Sequence, residues 1–198
     1  MSAELRTRMV EGAADLMSRR GLGAASMRDL ARHAGTPLGS TYHYFPGGKL
    51  QLALEAVQLT DERVSTRLRQ SLEQGPAAGV REFLALWRQI VIDSDFEAGC
   101  PVLSVAVTEP RTGEAAEAVA AAGDAFVHWC DALSASLREH GVTAPAAESL
   151  ALLIVTSVEG SVAICRAEGS TRALDLVAQT IEGLIESALP PAAAPAGS

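Results

Sequence analysis

Aromatic residues, cysteines and long uncharged stretches are all scarce in this chain of 198 residues. The three cysteines, Cys100, Cys130 and Cys165, lie far apart, and an odd, widely spaced set predicts free thiols in a reducing compartment. No run of about 18 uncharged apolar residues occurs, which argues against a membrane span. The first residues alternate acidic and basic side chains without an apolar stretch, which argues against a signal peptide. We therefore expect a cytoplasmic protein.

Charge is unevenly distributed along the chain, whose total is −8 at pH 7. Residues 1–50 hold seven basic and four acidic side chains, a net charge of +3, whereas residues 51–198 hold nine basic and twenty acidic side chains, a net charge of −11. A basic head on an acidic body indicates that only the head meets a polyanion. Hydrophobic residues make up 48% of the chain, which is ample for a buried core.

Good helix formers dominate the chain, and β-branched alternation is almost absent. Apolar residues recur every three or four positions, the pattern of amphipathic helices. Gly21, Gly141 and Gly169 each follow a basic residue closely, as at helix ends, and Pro37 and Pro76 suit a first helical turn. The sequence therefore predicts an all-α fold without internal repeats. The nine predicted helices span residues 3–20, 27–34, 38–44, 48–73, 77–93, 101–108, 113–140, 145–168 and 171–188.

Residues 26–49 carry the most specific pattern in the chain. Ser26 and Asp29 have the spacing of a capping box at the start of a short helix. Gly35 permits a sharp turn, after which Thr36 is suited to cap a second helix of barely two turns. Two short helices across a tight, glycine-containing turn are typical of a helix-turn-helix, whose second helix enters the DNA major groove.

The second of these short helices is rich in polar groups. Its side chains supply hydroxyls, a ring N–H and aromatic faces, in the order Leu38-Gly39-Ser40-Thr41-Tyr42-His43-Tyr44. A buried helix of this composition would leave many polar groups without partners, so we expect it to lie on a surface that meets DNA. The next helix begins beside Lys49, and the N–H groups at its start suit a phosphate.

These residues resemble the DNA-binding head of TetR-family repressors. The matching positions are Ser26, Leu30-Ala31, Ala34-Gly35, Gly39, Tyr42-His43-Tyr44-Phe45 and Lys49 with Leu52. Residues 45–49 (Phe-Pro-Gly-Gly-Lys) and 99–103 (Gly-Cys-Pro-Val-Leu) resemble a branch of the family that controls drug-efflux genes. Thr36 stands where the family usually has Val, which its expected role as a cap explains. Leu38 stands where Lys, Arg or a small polar residue is common, so no base preference is carried over.

The resemblance also implies which side chains contact DNA. Tyr42, Tyr44 and Lys49 would contact phosphates, and Gly39 would let the backbone approach one closely. The candidates for base edges or the nearby sugar-phosphate are Arg28, Thr36, Pro37, Leu38, Ser40, Thr41 and His43. The residues expected in the core of the head are Met27, Leu30, Ala31 and Phe45.

Plainer interpretations of the same residues stay open. A helix-turn-helix shape also occurs as simple packing, Tyr42 and Tyr44 could be half-buried aromatics, and His43 could be an ordinary surface residue. The cysteines could form a redox sensor, which needs a lowered pKa, or could be buried inert thiols. No histidine has the spacing of a metal ligand, and no catalytic motif or phosphate-binding loop is present. We therefore expect neither a cofactor nor an enzyme.

The last two predicted helices have the character of a subunit interface. Both are apolar over most of their circumference, and such helices must be covered on more than one side. The resemblance implies a homodimer in which this pair forms a two-fold four-helix bundle, and each head then reads half of a near-palindromic site. The alternative is packing within one subunit alone. The candidate interface residues are Leu150, Leu153, Ile154, Ser157, Val158, Ser161, Ile181, Leu184 and Ile185.

The scarce large aromatics cluster in the middle of the chain, where they either line a ligand cavity or fill the core. They are Phe83, Trp87, Phe96, Phe126 and Trp129. The low basic charge of the body favours a neutral or cationic apolar ligand over an anion. The resemblance implies a regulator that releases its operator when such a small molecule binds. The alternatives are a helical small-molecule binding protein that does not read DNA and a small-molecule enzyme.

The chain is expected to divide into three parts. Residues 1–48 would form the helix-turn-helix domain, and residues 49–189 would form the ligand-binding and dimerisation domain. Residues 190–198, rich in Pro and Ala, have no means of packing and are expected to be a disordered tail.

Overall fold

The computed structural model describes residues 2–191, and within them the predicted all-α fold is confirmed. This part of the chain forms nine α-helices, one short 3-10 helix (Gly113–Ala115) and no strand. The helices are α1 (Ser2–Arg20), α2 (Met27–His33), α3 (Leu38–Tyr44), α4 (Gly48–Leu72), α5 (Pro76–Asp93), α6 (Pro101–Thr108), α7 (Ala116–Glu139), α8 (Ala144–Glu168) and α9 (Arg172–Ala188). Their ends agree with the predicted ends to within a few residues. Most of the predicted tail, residues 192–198, lies outside the described residues.

Helix α4 is shared by the head and the body. It packs against α1 as well as against α5, α6 and α7. Leu52 and Val57 are buried in its first half, and Val64 and Leu68 are buried in its second half. Burial of each such side chain contributes about 1.5–3 kcal/mol to stability. Because α4 buries side chains in both the head and the body, it joins the two parts of the molecule.

A polar contact joins α4 to α7 inside this core. Asp61 of α4 accepts a hydrogen bond from the indole N–H of Trp129 at 3.0 Å and another from the Ser65 hydroxyl at 2.8 Å. The ring of His128 lies 2.7 Å from the second carboxylate oxygen. Asp61 therefore interrupts the apolar pattern of α4 because the buried Trp129 needs an acceptor.

The five clustered aromatics do not form one group around a ligand cavity. Phe83 contacts Trp87 and Trp129 edge-to-face with ring centroids 6.4 Å apart, and Phe126 contacts Trp129 at 5.4 Å. Phe83, Trp87 and Trp129 are fully buried, so they fill the core between α5 and α7. Phe96 lies apart, in the turn after α5, where its φ is 62°. The grouping of Phe96 with the other four is therefore corrected.

The interface residues predicted on α8 and α9 fall on two different faces. Leu153 and Leu184 are exposed and Ser157 is half-buried. The other six are buried within the subunit, namely Leu150, Ile154, Val158, Ser161, Ile181 and Ile185. Because their own subunit covers these six side chains, the prediction that they form the interface is corrected for them.

Helix α8 is long and apolar enough to cross a membrane, judged by length and composition alone. It has 25 residues, and the mean hydropathy of its most apolar window is 1.7. In the fold, however, α7 and α9 pack against it, and its inner face lies in the core. A core helix passes the same test, and we interpret α8 as one.

The carboxyl group of Glu159 is buried in the middle of α8 without a hydrogen-bond partner among the described residues. The residue is 6% exposed, and neither carboxylate oxygen is within bonding geometry of a donor. The Cys100 thiol lies beside it. Burial raises the pKa of Glu159 from 4.5 to about 7, because the charged form loses its hydration.

Replacement of this carboxyl group should remove a pH dependence of stability. The pKa of Glu159 is higher in the folded chain, about 7, than its ordinary value of 4.5, so the folded chain holds the extra proton between these values. The free energy of unfolding therefore falls as pH rises from 4.5 through 7, by about 3 kcal/mol in all.

We expect Glu159→Gln to abolish this fall in urea unfolding curves recorded between pH 4.5 and 8 at one protein concentration. Glu148→Gln, at an exposed position of the same helix, should keep the wild-type profile. Parallel profiles for the wild type and Glu159→Gln would contradict the assignment.

Candidate nucleic-acid interface

Helix α2 begins with the predicted capping box. The Asp29 backbone N–H donates to the Ser26 hydroxyl at 3.1 Å, and the Ser26 backbone N–H donates to the Asp29 carboxylate at 3.2 Å. Hydrogen bonds from the Ser26 side chain and backbone lower the pKa of the Asp29 carboxyl group. With the helix start defined, Met27, Leu30 and Ala31 face the core as predicted.

The turn between α2 and α3 is closed by backbone hydrogen bonds. Gly35 has a φ of 63°, a left-handed conformation that glycine adopts without strain. The Gly35 N–H donates to the Arg32 carbonyl at 3.2 Å, and the Thr36 N–H donates to the Ala31 carbonyl at 2.8 Å. The Thr36 hydroxyl is also directed to that Ala31 carbonyl, at 3.3 Å.

Thr36 therefore fixes the turn and does not cap α3, which corrects its predicted role. Pro37 occupies the N-cap position, and no side chain caps the helix. Because Thr36 is buried and its hydroxyl bonds to the backbone, it is also removed from the set of base contacts.

Gly12 determines how closely α1 approaches the end of α2. A Cβ atom on Gly12 would lie 2.8 Å from the Cβ of Ala34 and 3.0 Å from its Cα. Ala34 directly precedes the turn, so this contact sets where α3 begins. Nothing in the sequence around Gly12 singles it out, because its importance comes from a residue 22 positions away in the chain.

Helix α3 has one face in the core and one face outside. Thr41 and Phe45 are 1% and 0% exposed, and the Thr41 hydroxyl donates to the Pro37 carbonyl at 3.3 Å. Thr41 is therefore corrected from a base contact to an anchor. Tyr42 is 53% exposed, and His43 is exposed beside it.

The remaining predicted contacts on α3 flank this outer face. Gly39 is exposed and lies on the same side of the helix as Tyr42 and His43, three and four positions on. Leu38, Ser40 and Tyr44 are half-buried at its edges. The alternative in which both tyrosines are half-buried thus holds for Tyr44 alone.

Lys49 lies at the start of α4, where it holds the head together. Its ammonium group donates to the carbonyl of Leu22, in the loop after α1, at 3.3 Å. An ammonium group has three donors, so two remain for an anion beside the positive end of the α4 dipole. The side chain is half-buried.

Several arginines on the head have no acidic partner. Arg8, Arg20 and Arg28 are exposed, and within residues 2–191 none of them forms an ion pair. Of these, Arg28 was predicted to contact DNA, and it lies in the first turn of α2. Unpaired guanidinium groups of this kind suit phosphates.

Three hydrogen bonds join the end of α1 to the body. The Gly99 N–H donates to the Ser18 carbonyl at 3.1 Å, and the Arg166 guanidinium donates to the Arg19 carbonyl at 3.0 Å. The Arg19 guanidinium donates to the Glu97 carboxylate at 3.0 Å. The segment that leads into α6 therefore contacts the head directly.

The cysteines are free thiols, and Cys100 and Cys165 are buried. Burial raises the pKa of the Cys100 thiol, and the neighbouring Glu159 acts in the same direction. Burial and Asp131 likewise raise the pKa of the Cys130 thiol. A redox sensor needs the opposite shift, so Cys100 and Cys130 are better explained as inert thiols.

Two family models match the chain and together cover most of it. The model described as bacterial regulatory proteins of the tetR family matches residues 9–56. The model described as the C-terminal domain of LmrA/YxaF-like transcriptional regulators matches residues 76–180. The first range contains the whole helix-turn-helix, and the second runs from the start of α5 into α9.

Similar proteins are regulators of the same kind. An HTH-type transcriptional regulator of Mycobacterium tuberculosis is 34% identical over 188 residues, covering 93% of this chain and 96% of its relative. The HTH-type transcriptional regulator LmrA of Bacillus subtilis is 29% identical over 161 residues, covering 79% of this chain and 84% of its relative. The fold resembles that of the regulatory protein TetR from Rhodobacter sphaeroides, with a TM-score of 0.79 at 19% identity, covering 90% and 97% of the two chains.

The contact between α1 and α2 predicts the effect of a single methyl group. Gly12→Ala should lower the free energy of unfolding by about 1–2 kcal/mol, because overpacking against Ala34 outweighs the gain in helix propensity. The measurement is urea unfolding followed by circular dichroism. The double variant Gly12→Ala with Ala34→Gly moves the methyl group across the contact and should recover most of the loss. Wild-type stability of Gly12→Ala would contradict this account.

Proposed function

Because this chain belongs to the TetR family of bacterial regulatory proteins, we propose that it is a repressor that binds a near-palindromic operator as a homodimer and releases it when a small molecule binds. The observation that carries this proposal is the outward face of α3, where Gly39, Tyr42 and His43 are exposed while Thr41 and Phe45 anchor the helix. A short helix held in this way can enter a major groove without loss of core contacts.

The proposed DNA contacts divide by chemistry. His43 would lie in the major groove, Ser40 would reach a base edge from the flank of α3, and Tyr42 would contact a phosphate. Gly39 has no heavy atom near the place of a Cβ, so the backbone there can approach a phosphate. The two cationic groups, Arg28 and Lys49, would hold phosphates at the starts of α2 and α4.

The homodimer is supported by the exposed apolar side chains on α8 and α9. Leu152 and Leu153 are 57% and 45% exposed, and Ile164, Leu176 and Leu184 are 48%, 49% and 41% exposed. A monomer seldom leaves so many large apolar side chains on two adjacent helices in water. A two-fold four-helix bundle would cover them and place two α3 helices about one DNA turn, roughly 34 Å, apart.

Release of the operator would follow from linkage between the two sites. A ligand that favours one placement of the body would change the preferred orientation of the head, through the three hydrogen bonds at the end of α1. DNA and ligand would then weaken each other's binding by the same factor. In this proposal residues 1–48 form the DNA-binding unit, residues 49–189 form the regulatory unit, and the protein works in the cytoplasm.

The substitution Gly39→Ala should raise the stability of the fold and lower the affinity for DNA. Gly39→Ala adds a Cβ to an exposed helical position with nothing within 4 Å, so the head should become more stable by up to about 1 kcal/mol. If the backbone approaches a phosphate there, affinity for a duplex from the chain's own upstream region should fall at least tenfold in fluorescence anisotropy.

The matched control is Gly123→Ala on α7, another exposed helical glycine with nothing within 4 Å. It should raise the melting temperature without loss of affinity. Binding that is equally tight in Gly39→Ala and in the wild type would refute this placement of α3. If the wild type shows no salt-dependent binding to the duplex, the proposed repressor function is refuted.

A charge on the exposed face of α9 should dissociate the dimer. Leu184→Glu places a carboxylate where a second subunit would bury it, at a cost of several kcal/mol, so sedimentation equilibrium should show a helical monomer. Val127→Glu is the control, because Val127 is 55% exposed on α7, away from the proposed interface. A dimeric Leu184→Glu variant would place the interface elsewhere.

A further inference from the structure

A cavity of about 410 Å³ lies between the head and the body. Ala14 and Ser18 of α1 form one wall, and Val64 of α4 with Leu86 and Trp87 of α5 forms another. The segment before α6, including Gly99, closes a third side. A molecule in this cavity would therefore touch both parts of the chain at once.

The indole N–H of Trp87 is a buried donor without an acceptor. Trp87 is 1% exposed, and its Nε1 atom has no hydrogen-bond partner among the described residues. Trp129, the other tryptophan of the chain, is equally buried, and its N–H donates to Asp61 at 3.0 Å. Buried indole groups are normally satisfied, so the contrast singles out Trp87 as the cavity-lining residue whose indole N–H lacks an acceptor.

The charged residues that line the cavity leave one guanidinium without a counter-ion. Glu11 pairs with Arg63, and Asp15 pairs with Arg19 at 3.1 Å. Arg67 lies one helical turn after Arg63, is exposed, and forms no ion pair within residues 2–191. The surroundings of the cavity thus have acidic groups that are already paired and a basic group that is not.

We propose that this cavity binds an apolar organic acid, whose oxygen atoms accept hydrogen bonds from the Trp87 indole inside and the Arg67 guanidinium at the rim. The apolar part would pack against Val64, Leu86 and Ile90. This differs from the neutral or cationic ligand that the low basic charge of the body favours. The reason is that the unpaired groups at the cavity, and not the total charge, decide which ligand is held.

The cavity also contains the contact through which a ligand would act on the head. Ser18 and Gly99 both line it, and the Gly99 N–H donates to the Ser18 carbonyl at 3.1 Å. A bound acid would hold the end of α1 in one placement relative to α6, and α1 carries the rest of the head. This consequence rests on the proposed repressor function, whereas the binding itself does not.

The test uses the full-length protein without DNA and naphthoate as the ligand. With nitrogen-15 in tryptophan alone, the chain gives two indole N–H resonances, which Trp87→Phe and Trp129→Phe assign. Naphthoate should shift the Trp87 resonance downfield with saturation and move the Trp129 resonance much less. Naphthylmethylammonium, of similar shape and opposite charge, should leave both in place.

Arg67→Gln should weaken naphthoate binding at least tenfold, and this exposed substitution remains informative even if Trp87→Phe does not fold. Arg69→Gln, on the same helix but outside the cavity lining, should bind like the wild type. An absent or unsaturable Trp87 shift, equal binding of the ammonium compound, or wild-type affinity in Arg67→Gln would overturn the proposal. Since no DNA is present, these results are independent of whether the chain binds an operator.

Discussion

Burial of one face of α4, from its first turns to its last, is the constraint on which the arrangement of this molecule depends. The helix packs against α1 in the head and against α5, α6 and α7 in the body, so one rigid element belongs to two cores. Asp61 strengthens this coupling, because its carboxylate satisfies the indole of Trp129 at the point where α4 and α7 meet. Any tilt of α4 that relieved one core would disturb the other.

The head stabilises an exposed helix, α3, that is too short to be stable alone. Seven residues cannot hold a helix in water, so α3 depends on what surrounds it. Phe45 and Thr41 attach its inner face to the core, Gly35 gives the turn its left-handed residue, and Gly12 lets α1 come close beneath. Because these anchors lie on one side, the opposite side is left to polar side chains that suit DNA.

Unsatisfied buried groups are concentrated in the body of the described structure. The side-chain atoms without partners belong to Trp87, Ser136, Glu159 and Arg166, and none of them lies in the head. A buried polar group without a partner costs free energy, so its retention suggests a role other than stability. The described part of the head has no such atom, whereas the body contains donors and acceptors that a ligand or a change of state could use. This division is compatible with the function proposed above.

The sequence by itself determined the helices, the capping box at Ser26, the turn at Gly35 and the family, since each depends on residues a few positions apart. The polar character of α3 followed from the same short-range pattern, but which of its side chains face outward did not. Tertiary structure alone decided that Thr36 and Thr41 are internal, that Ile154 and Ile185 face their own subunit, and that Phe96 is separate from the other aromatics.

Tertiary structure also decided that Gly12 lies in close contact with Ala34 and that Trp87 lacks the acceptor that Trp129 has. The physical reason is the range of the interactions. Helix periodicity and capping are local properties of the chain. Burial, close contact and hydrogen-bond satisfaction depend on partners that only the folded arrangement brings together.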